Sequence, residues 1–330
     1  MEIVFTALGV GLLVVTVVEA LWTTLWVDGA AGPVTSRVTS WAWVAVRRLG
    51  RGRHRLLSMC GPLILIGTVV GWVLALWAGW VLLFAADPQS LADTRDGGNA
   101  TWPGRIWFVG YTLFTVGNGD FSPKDGMWQV LAGLVSASGM FLVTLSVTYL
   151  LSVVSAVVNK RAFASSVHSL GRTGAEVVLA GWNGHDLHPL DRQLAELTSQ
   201  LSKLTEQYLS YPVLLYYHAA RAQKSPALAV GVFDDALTLL RFGVPTEARP
   251  DEAELTAART TVDSFLDTLE AAFIPAADQA PPHPELERLR AAGIPIVEEA
   301  EFSEAVDGLD GRRRSLLGLV RHDGWTWWKD

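Results

Sequence analysis

The chain has one cysteine, Cys60, so no intrachain disulfide can brace it, and a position at the start of an apolar stretch suits packing rather than redox chemistry. Charge is scarce: 18% of residues are charged against 50% apolar, and the apolar ones are not spread evenly. No basic cluster precedes the first apolar stretch, which opens with Glu2, and no small-x-small site follows it. It is therefore expected to stay attached rather than be removed as a signal. Strands alternating with helices are missing from the C-terminal half, and Gly171-Arg-Thr-Gly174 ahead of Val177-Val-Leu179 does not fit a dinucleotide-binding turn.

What the chain does have is three long apolar runs, residues 3–27, 63–86 and 127–158, each at least as long as the ~20 residues a helix needs to cross a bilayer. There is no fourth. Residues 28–59 carry Arg37, Arg47, Arg48, Arg51, Arg53 and Arg55 against the single acid Asp28, which marks this segment as cytoplasmic. Asp87, Asp93 and Asp96 outweigh Arg95 in the next polar loop, and Lys160-Arg161 follow the third run. A multi-pass protein of the cell membrane is expected, with its N-terminus outside and its C-terminus inside. Trp41 and Trp43 suit an interfacial helix in the basic segment, and Glu19, inside the first span, is expected to pair with one of its arginines. Residues 1–165 hold 11 basic and 8 acidic side chains, leaving 15 and 25 for the rest. So acidic a tail argues against a nucleic-acid partner.

The tail reads as mostly helical. Leu187, Leu190, Leu194, Leu197, Leu201, Leu204 and Tyr208 recur at spacings of three and four, the seam of a helix packed on one partner, within the subunit or on a fourfold axis. Asp186 is placed to cap this helix, with Pro189 in its first turn. Helices are expected over 227–242 and 251–273, the latter capped by Asp251, and a short one ending at Ala292. One short strand is expected near 294–297. His185, Asp186 and His188 offer three metal-ligand types, but at a helix start capping accounts for them better. Arg312-Arg-Arg314 with Trp325, Trp327 and Trp328 are expected to pack onto the helical tail rather than anchor it to the membrane.

Between an aromatic-rich segment, 105–114, and the third run lies Thr115-Val116-Gly117-Asn118-Gly119-Asp120. Glycine allows the backbone angles that turn successive carbonyls the same way. This stretch resembles the TVGYG filter of tetrameric K⁺ channels, in which four loops replace the ion's hydration shell with carbonyl oxygens. The resemblance covers roughly residues 60–160: an outer helix, a short re-entrant pore helix, the filter at 115–120, an outer mouth at Phe121-Ser-Pro-Lys124, and an inner helix over 127–158. Gly139 lies 20 residues past Gly119, where the family has a hinge glycine.

The resemblance implies an all-α pore-loop membrane protein with an additional N-terminal transmembrane helix (1–27), a basic linker (28–59), the pore domain (60–160) and a helical cytoplasmic domain (161–330). It implies a homotetramer, because one chain supplies one loop. K⁺ would be held by the carbonyls of Thr115, Val116, Gly117 and Asn118, with Gly119 completing the filter. Trp107, Phe108, Tyr111 and Asp120 would support it. Met140, Val143, Val147 and Leu151, on one face beyond Gly139, would line the cavity and gate. Conduction would be passive, with no enzymatic step and no cofactor beyond the permeant K⁺. Three departures stand out. Asn118 replaces the filter aromatic, which opens the alternative of a weakly selective cation channel. Phe108 lacks the indole N–H that in the family bonds the aspartate after the filter, and Tyr111 is expected to donate to Asp120 instead. Phe114 replaces a small residue. A non-conducting membrane sensor or scaffold is the remaining alternative. No arginine ladder or ligand site names a stimulus.

Overall fold

The computed structural model describes residues 2–26, 32–49, 54–95, 97–271 and 274–327; the side chains of 42, 44–49, 54–56 and 271 are likewise not described. Asp28, Arg51, Arg53, Asp96, Phe273 and Trp328 thus lie outside the described residues, as do the side chains of Arg47, Arg48 and Arg55. The chain forms two compact units, residues 1–45 with 62–153 and residues 46–61 with 154–330.

The first unit contains three apolar helices long enough to cross a membrane: α1 (Glu2–Leu25), most of α3 (His54–Ala86) and the first half of α5 (Met127–Leu170). The periodicity of α1 is one of size rather than polarity. Gly9, Thr16, Ala20 and Thr23 are buried while Ile3, Leu8, Val14 and Val18 face outward, as in a lipid-exposed helix that packs through its small residues. A methyl on Gly9 would sit 2.9 Å from the Gly79 carbonyl oxygen, so the two backbones touch at this crossing. α2 (Pro33–Leu49) follows α1, and α4 (Trp102–Leu113) comes between α3 and α5 in the chain, capped by Thr101, whose hydroxyl accepts from Gly104 N.

Glu19 does not pair with an arginine among the described side chains. Its carboxyl, 6% exposed, accepts from Val34 N at 2.9 Å, Thr35 N at 3.1 Å and the Thr35 hydroxyl at 3.0 Å. The first turn of a helix has unpaired N–H groups and a positive dipole end, which a carboxylate satisfies. Glu19→Ala would strand those donors, and the expected loss is about 2 kcal/mol of stability, read as a lowered midpoint of thermal unfolding in detergent; an unchanged midpoint would show the cap to be dispensable.

The second unit is helical, and it takes in more of α5 than the third apolar run covers. Ala156, Lys160, Phe163, Ala164 and Val167 are all buried. α6 (Gly174–Ala180) leads to a 3₁₀ turn over His188–Leu190 and then α7 (Asp191–Ser210). The helix therefore starts four residues after Leu187, and Asp186 does not cap it. Asp186 instead closes a turn, accepting from Asn183 Nδ2 and His188 N. Leu194, Leu197, Leu201, Leu204 and Tyr208 are buried along α7, which packs on α9 (Glu252–Ala271); Tyr208 meets the Phe265 ring edge-on at 5.6 Å. The heptad seam thus has its partner within the chain.

Asp251 caps α9 as expected, accepting from Ala253 N at 2.8 Å. Every residue of α8 (Pro226–Thr238) is buried, which makes it the centre of this unit; a single π turn, Leu239–Gly243, ends it. α10 (Glu287–Ala291), α11 (Glu299–Asp307) and α12 (Asp310–His322) complete the chain. The arginine triplet turns inward: Arg312 pairs with Asp234 and Asp263, Arg313 with Asp235 at 2.6 Å, and Arg314 donates to the Ala277 carbonyl. Trp325 stacks on His218 at 5.5 Å. The strand expected near 294–297 does not form. Pro295 lacks an N–H, and Val297 N makes a single bond to Gly243 O with no neighbouring strand to extend it. Among the described residues no group of His, Cys, Asp and Glu could hold a metal; His188 instead hydrogen-bonds Asp191, which raises its pKa.

Candidate ion-conduction site

The loop after α4 carries the backbone signature its glycines imply. Positive φ recurs at alternate residues: Thr115 at 57°, Gly117 at 67° and Gly119 at 82°. Thr115 is the one non-glycine residue with positive φ among those described, a conformation that costs an L side chain energy and needs support from its surroundings. That support comes from α4, whose last turn receives Thr115 N on Thr112 O at 3.0 Å and Val116 N on Tyr111 O at 2.8 Å. Among the described residues, no hydrogen bond reaches the carbonyl oxygens of Val116, Gly117 or Asn118. Unpaired carbonyls in a row on an exposed loop are what a dehydrated cation requires.

The support differs from the expected pattern. Trp107 supplies the indole N–H that Phe108 lacks, donating to Asp120 Oδ2 at 3.2 Å, and Asn118 Nδ2 donates to the same oxygen at 2.6 Å. Tyr111 does not reach Asp120; its hydroxyl donates to the Phe121 carbonyl at 3.0 Å. Phe108 is 3% exposed, with its ring 5.2 Å from Phe84 and 5.5 Å from Tyr111. Phe114 lies edge-on to Trp77 at 6.5 Å.

Residues that sequence reasoning missed hold the two ends of the loop. β1 (Leu91–Asp93) pairs antiparallel with β2 (Phe121–Pro123), Ala92 opposite Ser122. This pairing delivers Thr94, whose hydroxyl donates to Gly119 O at 3.1 Å and Asp120 O at 3.0 Å. Arg95 hydrogen-bonds Asp93 through two guanidinium nitrogens, holding its carboxyl below the usual range. No local pattern marks Thr94; only the strand register places it. At the other end Ser136 of α5 donates to Thr112 O at 3.0 Å.

Gly139 sits one turn further along α5. A Cβ there would lie 2.1 Å from the Leu113 carbonyl oxygen. The helix continues unbroken through this position, so the glycine is required by the close approach of the end of α4. Met140, Val143, Val147 and Leu151 are exposed, from 41% to 67%, along one face of α5.

Residues 64–156, which take in most of α3, α4, the loop after it and the first part of α5, match the ion channel family. Over 319 residues, 96% of this chain and 94% of the relative, the sequence is 42% identical to an uncharacterized membrane protein, YdjJ, of Bacillus subtilis (strain 168). The chain belongs to this membrane-protein family and carries an ion channel domain. No solved structure matches it. The similarity to YdjJ runs through the helical tail as well as residues 64–156.

Proposed function

We propose that this ion-channel-family protein is the subunit of a homotetrameric, K⁺-selective channel of the cell membrane, conducting passively and without enzymatic activity. The observation that carries the proposal is the alternation of positive φ at Thr115, Gly117 and Gly119 with free carbonyls between them. One loop cannot enclose an ion, and four around an axis can, which makes closed fourfold symmetry the simplest assembly. K⁺ would then be bound by Thr115, Val116, Gly117 and Asn118. The apolar face of Met140, Val143, Val147 and Leu151 would line the cavity, the rest of the exposed apolar surface would meet lipid, and the helical tail would lie in the cytoplasm with the N-terminus outside.

A weakly selective cation channel is the second reading, and the side chain at 118 favours it: an amide bonded to Asp120 of its own chain holds the loop by one contact where the family has a packed ring. Purified protein is expected to run as a tetramer by mass in detergent and, in a planar bilayer with K⁺ on one side and Na⁺ on the other, to give a reversal potential set by K⁺. A potential near zero would establish the weakly selective channel. A tetramer with no current would leave a scaffold, and a stable monomer would defeat the pore.

A further inference from the structure

The mechanically suggestive feature of the tail is a strap, residues 212–218, on which three elements converge. Its first part is a 3₁₀ helix, Pro212–Tyr216, whose Leu214 carbonyl also accepts from Tyr217 N at 3.2 Å. Lys160, 4% exposed near the end of α5, donates its ammonium to Leu214 O at 2.8 Å and Tyr217 O at 2.9 Å and lies 5.3 Å from the centre of the Tyr208 ring. A lysine so fully buried is held by those partners, since a charge removed from water must be solvated by something else. Tyr217 also reaches the start of α3. A Cβ on Gly61 would meet the Tyr217 ring at 2.6 Å, and Leu57 and Cys60 beside it are buried. The next residue, His218, is 2% exposed; its Nδ1 lies 3.3 Å from Asp323 Oδ1 at the end of α12, and Ser225, the cap of α8, donates to Asp323 Oδ2 at 3.0 Å.

The strap therefore grips the beginning of the outer helix with a tyrosine ring, the end of the inner helix through a lysine, and the C-terminal helix through a histidine and aspartate. We infer that Lys160 and the 212–218 strap form a clamp that fixes the cytoplasmic end of α5 relative to the start of α3, so that gating movements of the inner helix must break or carry it. α5 is one continuous helix from Met127 to Leu170, which lets a restraint at Lys160 act on the cavity-facing residues upstream. The gating part of this inference rests on the channel proposal; the clamp itself does not.

Lys160→Met keeps the length and apolar stem and removes the donors. Hydrogen–deuterium exchange on the full-length protein is expected to rise tenfold or more across 212–225 and the end of α5, and this is readable even if the protein passes no current. In bilayers the open-to-closed ratio is expected to depart at least tenfold from wild type with the reversal potential unmoved. Asp323→Asn, which weakens the strap from its other side, is expected to raise exchange over 218–225 in the same way and serves if Lys160→Met does not fold. Unchanged exchange in a folded variant would overturn the clamp. Raised exchange with wild-type gating would confine it to stability and overturn its role in gating. Absence of current in the wild type would remove the channel proposal while leaving the exchange test standing.

Discussion

Gly139→Ala is expected to abolish or strongly reduce current, at least tenfold per assembled channel, and to alter the reversal potential of whatever remains. The added methyl would fall 2.1 Å from Leu113 O and 2.9 Å from Leu113 C and Cδ1. Backbone atoms cannot swing aside as a flexible side chain can, so the end of α4 must shift, and Thr115, two residues on, shifts with it. Overpacking of this kind typically costs ~1–3 kcal/mol, enough to weaken assembly as well. The effect separates two roles for this glycine. A pure bending point would change how often the channel opens and leave selectivity alone, because alanine merely stiffens the helix. A seat for α4, shared with the Ser136 hydroxyl on Thr112 O, would change the proposed ion-binding loop itself. Bi-ionic recordings of the variant decide it: an unaltered reversal potential with altered opening would defeat the seat.

The second large effect is expected at Asp120. Its Oδ2 accepts from Trp107 of α4 and Asn118 of the loop that follows, and this carboxylate is the common partner of both. Asp120→Ala removes both bonds and with them the link from Asn118 through Asp120 to α4. The loop keeps its strained Thr115 but loses part of what holds it. The K⁺ over Na⁺ permeability ratio is expected to fall about tenfold, corresponding to ~1.4 kcal/mol of lost discrimination. Trp107→Phe, which removes one donor and keeps the ring's bulk, is expected to fall between wild type and Asp120→Ala. Since Trp107 is half exposed in the isolated chain, its bond alone contributes modestly. A ratio in Asp120→Ala equal to that of wild type would show that Thr94 and the β1–β2 pairing hold the loop without it.

Asn118 shows why a departure from a family pattern is hard to price from sequence. By comparison with a filter aromatic, asparagine is a loss of volume and buttressing. In the folded chain its amide lies 2.6 Å from Asp120, and the missing ring is partly offset by a hydrogen bond between residues two apart. Tyr111 and Phe108 illustrate the converse. Both sit on the pore helix beside Trp107, but 3.6-residue periodicity sends Phe108 toward Phe84 while the incoming β2 strand captures the Tyr111 hydroxyl.

What the sequence determined by itself was set by local chemistry and length. Three uninterrupted apolar runs can only be long helices, and the glycines at 117 and 119 specify the positive φ that an exposed row of carbonyls needs. The repeat of leucines along α7 required a buried face. Which partner that face met was decided by tertiary structure, because α9 supplies an equally apolar surface within the same chain and so removes the need for an axial coil. Glu19 was legible as a buried carboxyl, but its partner was not. An arginine is one cation among many along the chain, whereas the free N–H groups of α2 exist only once that helix has formed beside it. Thr94, Lys160 and Tyr217 were silent for the same reason: each acts through main-chain carbonyls or a backbone surface that no residue type advertises, and that come within reach only when distant segments are packed together.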